Sequence, residues 1–361
     1  MKERFKNVDL LRFIFAVLIV MFHFRVCPTI RPIIEHALPG LRHCNVCVDF
    51  FFIMAGFFLF NTINTTLSTF EFTKKRFLRL APLIWIFLII MAIASIFTHA
   101  INFPLNGDIL RGLLLHDIGF APGPTSIGGG IHWFISVLFW VSLFYFYIAK
   151  IINKKYLNLT IWLLTIISLG LKLNYCNFNT GGHTTNIYYF INIGVLRGLY
   201  GIGIGYFISQ LYKSGFLQKC SRNIEHIISF LEIYCIGFLT YFLLSTKVLP
   251  GKSGFLYIVI FSIIFYLFLI KKGFVSKLFD NNLSVKLGAY SYAIYVMHPL
   301  ITPIFNKYIY ITANHTVMNH IKIFYIFEIL LAIILGITIH HFFEKPINKL
   351  ISSKLAKNKV L

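Results

Sequence analysis

Ten stretches of this 361-residue chain are too apolar to have water as their solvent: about 8–26, 46–60, 81–100, 132–150, 158–173, 187–209, 226–245, 254–271, 286–305 and 323–343. A helix needs about 20 apolar residues to cross the hydrocarbon core. Only a helix or a closed barrel satisfies its own backbone there, and barrel strands are about half as long. The expected fold is therefore all-α, a polytopic membrane protein with about ten transmembrane helices. The second and fifth stretches are short, which predicts tilted or partly buried paths. Charge is correspondingly scarce: 12% of residues, against about 25% in soluble domains.

The charge that remains is basic, 33 Lys and Arg against 12 Asp and Glu. It falls in small groups between apolar stretches and forms no continuous basic face, which argues against nucleic acid. With the N-terminus in the cytosol, inner segments hold 22 of these cations and outer segments 9. That excess predicts both termini inside, and an even number of spans. The first stretch carries Arg12 and lacks a small-residue cleavage site, so it reads as a retained helix rather than a signal peptide. These features predict a multi-pass protein of the inner (plasma) membrane. Residues 1–346 are expected to form one transmembrane domain. Residues 347–361 then form a short basic cytosolic tail against anionic lipid. Cys44 and Cys47 have CxxC spacing with no second pair, a weak zinc pattern, and no metal is expected. A disulfide among Cys27, Cys44 and Cys47 stays open beside their reading as small apolar residues.

Ionisable residues inside apolar stretches are costly and mark function. Arg12 and His23 both lie in the first stretch. Eleven residues bring a helix round to within about 20° of the same face, with about 16 Å of rise between them. One face thus presents a cation towards the cytosol and an imidazole towards the outside. Asp49, entering the second stretch from outside, is as deep as His23, and a buried carboxylate needs a partner. An Asp49–His23 pair would fix the imidazole tautomer and raise its basicity. Gly56, seven residues on, would allow a close helix or ligand approach. Arg76 and Arg79 at i, i+3 share a helix face at the inner surface, and two guanidiniums suit phosphate. Arg197 lies inside the sixth stretch before Gly198, Gly201, Gly203 and Gly205; it is a cofactor-binding candidate facing the donor path, with structural pairing as the open alternative. His298 precedes Pro299 near the outer side and is a candidate acceptor-site residue. Glu344 is expected to anchor the inner end by pairing with Arg or Lys. Two turn-rich outer loops, 101–131 and 172–186, are further candidates for binding.

These residues, in order, resemble the acyltransferase-3 family. Arg12 with His23 is similar to its R-x10-H signature, Val48–Phe57 to its VDLFFVLSGF segment, and Arg76–Pro82 to its RxxRIxP segment. Leu287–His298 resembles its LGxxSYxxYLxH segment, and Phe343–Pro346 its closing FEKP. Two positions depart from the family pattern: Ala55 stands where the family usually has Ser, and in place of H-x-W-F the chain has His132-Trp133-Phe134, with His directly before Trp. The resemblance carries Trp133 over as a substrate-binding candidate more firmly than His132. It implies a cytosolic acyl-CoA donor, acetyl-CoA by default, and a hydroxyl of a surface carbohydrate or glycolipid as acceptor. It also implies His23 as the essential residue, Arg12 in support, and Arg76 and Arg79 on the CoA side. Transport of a glycan, lipid or small acid is the rival class, because buried Arg, His and Asp also suit an exporter.

Overall fold

The computed structural model describes residues 4–25, 30–63, 66–101, 106–115, 132–176, 186–188, 191–218, 221–244, 255–310 and 320–357. Helices dominate. The first half contains α1 (Lys6–Phe24), α2 (Arg31–Ala37), a 3-10 segment (Pro39–Val46), α3 (Cys47–Thr62), α4 (Thr69–Thr98), α5 (Asn106–Leu113), α6 (Trp133–Ile151) and α7 (Lys154–Tyr175). A two-stranded antiparallel ribbon, β1 (Asn186–Tyr188) and β2 (Ile191–Asn192), leads into α8 (Ile193–Lys213). Then come α9 (Arg222–Leu244), α10 (Phe255–Ile270), α11 (Phe274–Leu278), α12 (Asn282–Met297), α13 (Ile301–Phe305), α14 (Ile321–Ile339) and α15 (Lys345–Lys357).

Among the described residues, seven helices are long and apolar enough to cross a membrane. They include α1, α4, α6, α7 and α9, the 3-10 segment continued by α3, and α14 continued to Ser353. A helix also lies at each of the other three apolar stretches. There α10 and α12 have 16 residues each, while α8 has 21 and carries Arg197. Of the expected outer loops, residues 102–105, 116–131 and 177–185 lie outside the described residues, as does Cys27. Cys44 and Cys47 are buried free thiols.

Local sequence sets the helix starts. Ser68 and Glu71 form a reciprocal capping box at the head of α4, satisfying two backbone donors at once. Asn192 caps α8 and Asn281 caps α12, each through its side-chain oxygen at 3.0 Å. These caps fix the register of the helices that carry the candidate residues.

The centre of the bundle is a close crossing of α3 and α8. A Cβ on Gly56 would stand 2.2 Å from the carbonyl oxygen of Ile202, and one on Gly205 2.2 Å from that of Ile53. Only glycine permits such an approach. The two helices run in the same direction, since Asp49 meets Arg197 at one end and Gly56 meets Gly205 farther along. α1 and α12 are likewise parallel: Gly288 packs on Asp9, and His298 lies beside His23. By contrast α12 and α14 are antiparallel, with Gly336 against Ile294 and His341 near Tyr290.

Gly56→Ala and Gly205→Ala are each expected to abolish accumulation of folded protein, because the obstructing atoms are backbone. Gly170→Ala, where an added Cβ would meet no packed neighbour within 4 Å, is expected to be neutral or to stabilise by up to about 1 kcal/mol. Fluorescence-detected size-exclusion profiles of the three variants in detergent check this.

Candidate active site

One cavity of about 800 Å³ lies beside the N-terminal parts of α1, α4 and α15. Its lower wall is basic. Arg4, Arg12, Lys75, Arg76 and Arg79 line it, with Asp9 and Glu344 as the carboxylates. Both oxygens of Asp9 are engaged, one by Arg4 Nε at 2.9 Å and one by Arg12 Nη1 at 3.0 Å. Glu344 accepts from His340 Nδ1 at 2.8 Å rather than pairing with the expected Arg or Lys. The two residues are four apart on the same helical stretch, which brings their side chains together. The capped start of α4 puts Arg76 and Arg79 on its first turns. Arg76 Nε is buried with no hydrogen-bond partner among the described residues. A buried donor of this kind calls for an acceptor, and phosphate oxygens are well suited to a guanidinium.

Above the basic mouth the walls become apolar. Along α3 the lining runs from Thr62 to Phe51, about 16 Å of helix rise. Phe51, Met54, Ala55 and Phe58 supply that wall, and Phe134 and Tyr295 the far end. Ala55, which replaces the Ser usual in the family, faces this space and contributes no hydroxyl to it. Tyr292 donates to the carbonyl of Leu80 at 2.7 Å, tying α12 to α4 beside the cavity.

His23 and His298 lie beyond Tyr295 and do not line the cavity. Their rings are 5.4 Å apart at an angle of 35°. The Tyr295 ring bridges the two regions, 5.5 Å from Phe134 and 5.8 Å from His298. The expected separation along α1 therefore stands, with Arg12 in the cavity and His23 at its far side. His298 comes from the end of α12, and His23 meets it because α1 and α12 run parallel.

The Asp49–His23 pair is not formed. Asp49 instead receives a bidentate contact from Arg197, Nε to Oδ1 at 3.0 Å and Nη2 to Oδ2 at 3.0 Å. The Tyr200 hydroxyl adds 2.8 Å to Oδ1. Equal depth misled the pairing: Asp49 faces α8 across the glycine crossing, whereas His23 faces α12. Arg197 correspondingly takes the structural pairing and leaves the cavity wall. It is 1% exposed, does not line the cavity, and also reaches the carbonyl of Asn45 at 2.9 Å. Trp133 is buried and lies under that guanidinium, 5.2 Å from ring centroid to Cζ. Trp133 thus packs the Asp49–Arg197 cluster, apart from the cavity. Sequence reasoning missed Tyr200 as the third member, although it follows Arg197 by one turn. It also missed Asp9, whose spacing of three from Arg12 was a usable signal, and Tyr295.

The acyltransferase-3 family, described as an acyltransferase domain, matches residues 5–341. The chain is similar to the peptidoglycan O-acetyltransferase OatA of Listeria monocytogenes serovar 1/2a, with 23% identity over 287 residues. That alignment covers 71% of this chain and 44% of the relative, so the chain spans less than half the length of that curated protein. No solved structure matches.

The geometry assigns Asp49 and Arg197 to stability. Removing one partner leaves a buried charge uncompensated, at a cost of about 3–5 kcal/mol. Asp49→Leu and Arg197→Met are each expected to lose folded protein, and the double variant to be less destabilised than either single one. Thermal denaturation in detergent provides the cycle. Additive losses would contradict direct pairing.

Proposed function

We propose that this chain, which belongs to the acyltransferase-3 family, is an integral membrane O-acyltransferase working across the bilayer. It moves an acyl group, acetyl by default, from cytosolic acyl-CoA to a hydroxyl of an extracytoplasmic glycan or glycolipid. The observation that carries this reading is the polarity of the cavity: guanidiniums at the mouth, an apolar shaft, and an imidazole pair past its far end. An exporter does not require that sequence of surfaces, whereas a nucleotide joined to a long flexible arm does.

Arg76 and Arg79 hold CoA phosphates, and the pantetheine arm occupies the shaft past Arg12. Asp9 holds the Arg12 guanidinium towards that path. The Tyr295 ring has to swing aside for the thioester to meet His23. Neutral His23 takes the proton of the acceptor hydroxyl as its oxygen bonds to the thioester carbonyl carbon. The C–S bond then breaks, and the proton passes to the departing thiolate. General-base assistance of this kind contributes about 10²–10⁴-fold. Asp49 has no part in it, because its oxygens are engaged by Arg197 and Tyr200.

Ten spans with both termini in the cytosol are part of this proposal. The helix directions support it. If every apolar stretch crosses, α3 and α8 are the second and sixth spans, and α1 and α12 the first and ninth. Each pair must then run parallel, and each does.

Arg76→Ala and Arg79→Ala are each expected to raise KM for acetyl-CoA by about tenfold or more, the usual worth of a charge-assisted hydrogen bond. His23→Ala is expected to stop transfer while acetyl-CoA binding persists. Full activity in His23→Ala overturns the mechanism. For topology, a membrane-impermeant maleimide applied to intact cells is expected to label Lys322→Cys and to spare Ser353→Cys.

A further inference from the structure

The outer half of the site contains two buried imidazoles whose protons are fixed by neighbouring carbonyls. His298 is fully buried, and its Nδ1 lies 2.7 Å from the carbonyl oxygen of Tyr295. His132 is buried too, with Nε2 3.1 Å from the carbonyl oxygen of Val296. A carbonyl oxygen can only accept, so in each case the contacting nitrogen carries the hydrogen. In a neutral imidazole the other nitrogen is then a lone-pair acceptor. Those atoms, Nε2 of His298 and Nδ1 of His132, are buried with no hydrogen-bond partner among the described residues. Native interiors rarely leave such groups unmatched.

Lone pairs of this kind accept either a metal ion or hydrogen-bond donors. Among the described residues no three His, Cys, Asp or Glu side chains converge as a metal site requires. Donors are the better match. One alcohol brings one O–H, and His23 uses it when it acts as base. The Nε2 of His298, on the ring 5.4 Å away, therefore needs a second donor from the same ligand. Neighbouring hydroxyls on a sugar ring supply one.

We propose that the acceptor half of the site recognises a polyol rather than an isolated hydroxyl, and that His298 Nε2 holds the hydroxyl next to the one reacting at His23. This rests on the acyl-transfer reading and deepens it. His298 becomes the residue that sets acceptor affinity. His132, bonded to the carbonyl one residue on, supports the same turn of α12.

The test uses the full chain in membranes with saturating acetyl-CoA. The variable substrate is the surface glycan of the producing cells, stripped of its esters by mild base. His298→Phe keeps a ring but removes the acceptor atom. It is expected to raise KM for the glycan about five- to tenfold, the worth of one neutral hydrogen bond, with kcat and KM for acetyl-CoA nearly unchanged. His298→Gln retains an acceptor oxygen and is expected to keep KM near the wild-type value, which also serves if the Phe variant fails to accumulate. An unchanged glycan KM in His298→Phe overturns the proposal. So does a tenfold rise in His298→Gln, or a fall in kcat with KM intact. If the wild-type protein transfers nothing to the stripped glycan, the acyl-transfer reading itself fails instead.

Discussion

The bidentate contact between Asp49 and Arg197 holds together the part of the bundle on which the rest is built. Both side chains are 1% exposed, and a charge so far from water persists only with a well-placed partner. The glycines at 56 and 205 make the partnership possible by letting α3 and α8 approach at backbone distance. Tyr200 and the carbonyl of Asn45 satisfy remaining hydrogen-bond capacity, and Trp133 covers the guanidinium. Close packing and charge pairing are thus one device. The glycine crossing sets the spacing, and the ion pair sets the rotation of each helix.

With α3 fixed in this way, one of its faces is free to line the cavity. Phe51, Met54, Ala55 and Phe58 on α3 stand opposite Arg12 on α1 and Ser291 and Tyr295 on α12. The parallel course of α1 and α12 then brings together residues distant in sequence: Asp9 with Gly288 at one end, His23 with His298 at the other. Arg12 and the imidazole pair are therefore held at different heights along α1, with α4 supplying Lys75, Arg76 and Arg79 to the basic mouth. Tyr295 belongs to both regions, since its ring faces the cavity and its carbonyl holds the proton of His298.

Much of this was legible from residue order. Apolar stretches placed the helices, and the eleven-residue spacing put Arg12 and His23 on one face at different depths. The i, i+3 spacing put Arg76 and Arg79 at a common surface, and Gly56 and the glycines after Arg197 each signalled room for a close approach, though not that they meet each other. Partner choice was not legible. Depth alone made His23 and Asp49 look adjacent, but neighbours in a bundle depend on which helix faces which, and one chain read alone does not contain that. Arg197 stayed open between two readings for the same reason: a cation in the sixth stretch could face the cavity or α3, and only packing decides. Glu344 found His340 because that ring was one turn away.

The central claim is that donor and acceptor meet from opposite sides of the membrane. Sealed right-side-out vesicles carrying the protein and its surface glycan test it when labelled acetyl-CoA is confined to one side. Label is predicted to reach the outer glycan when acetyl-CoA is sealed inside, and not when it is supplied outside alone. Equal labelling from external acetyl-CoA, with the vesicles shown to be intact, would contradict the account.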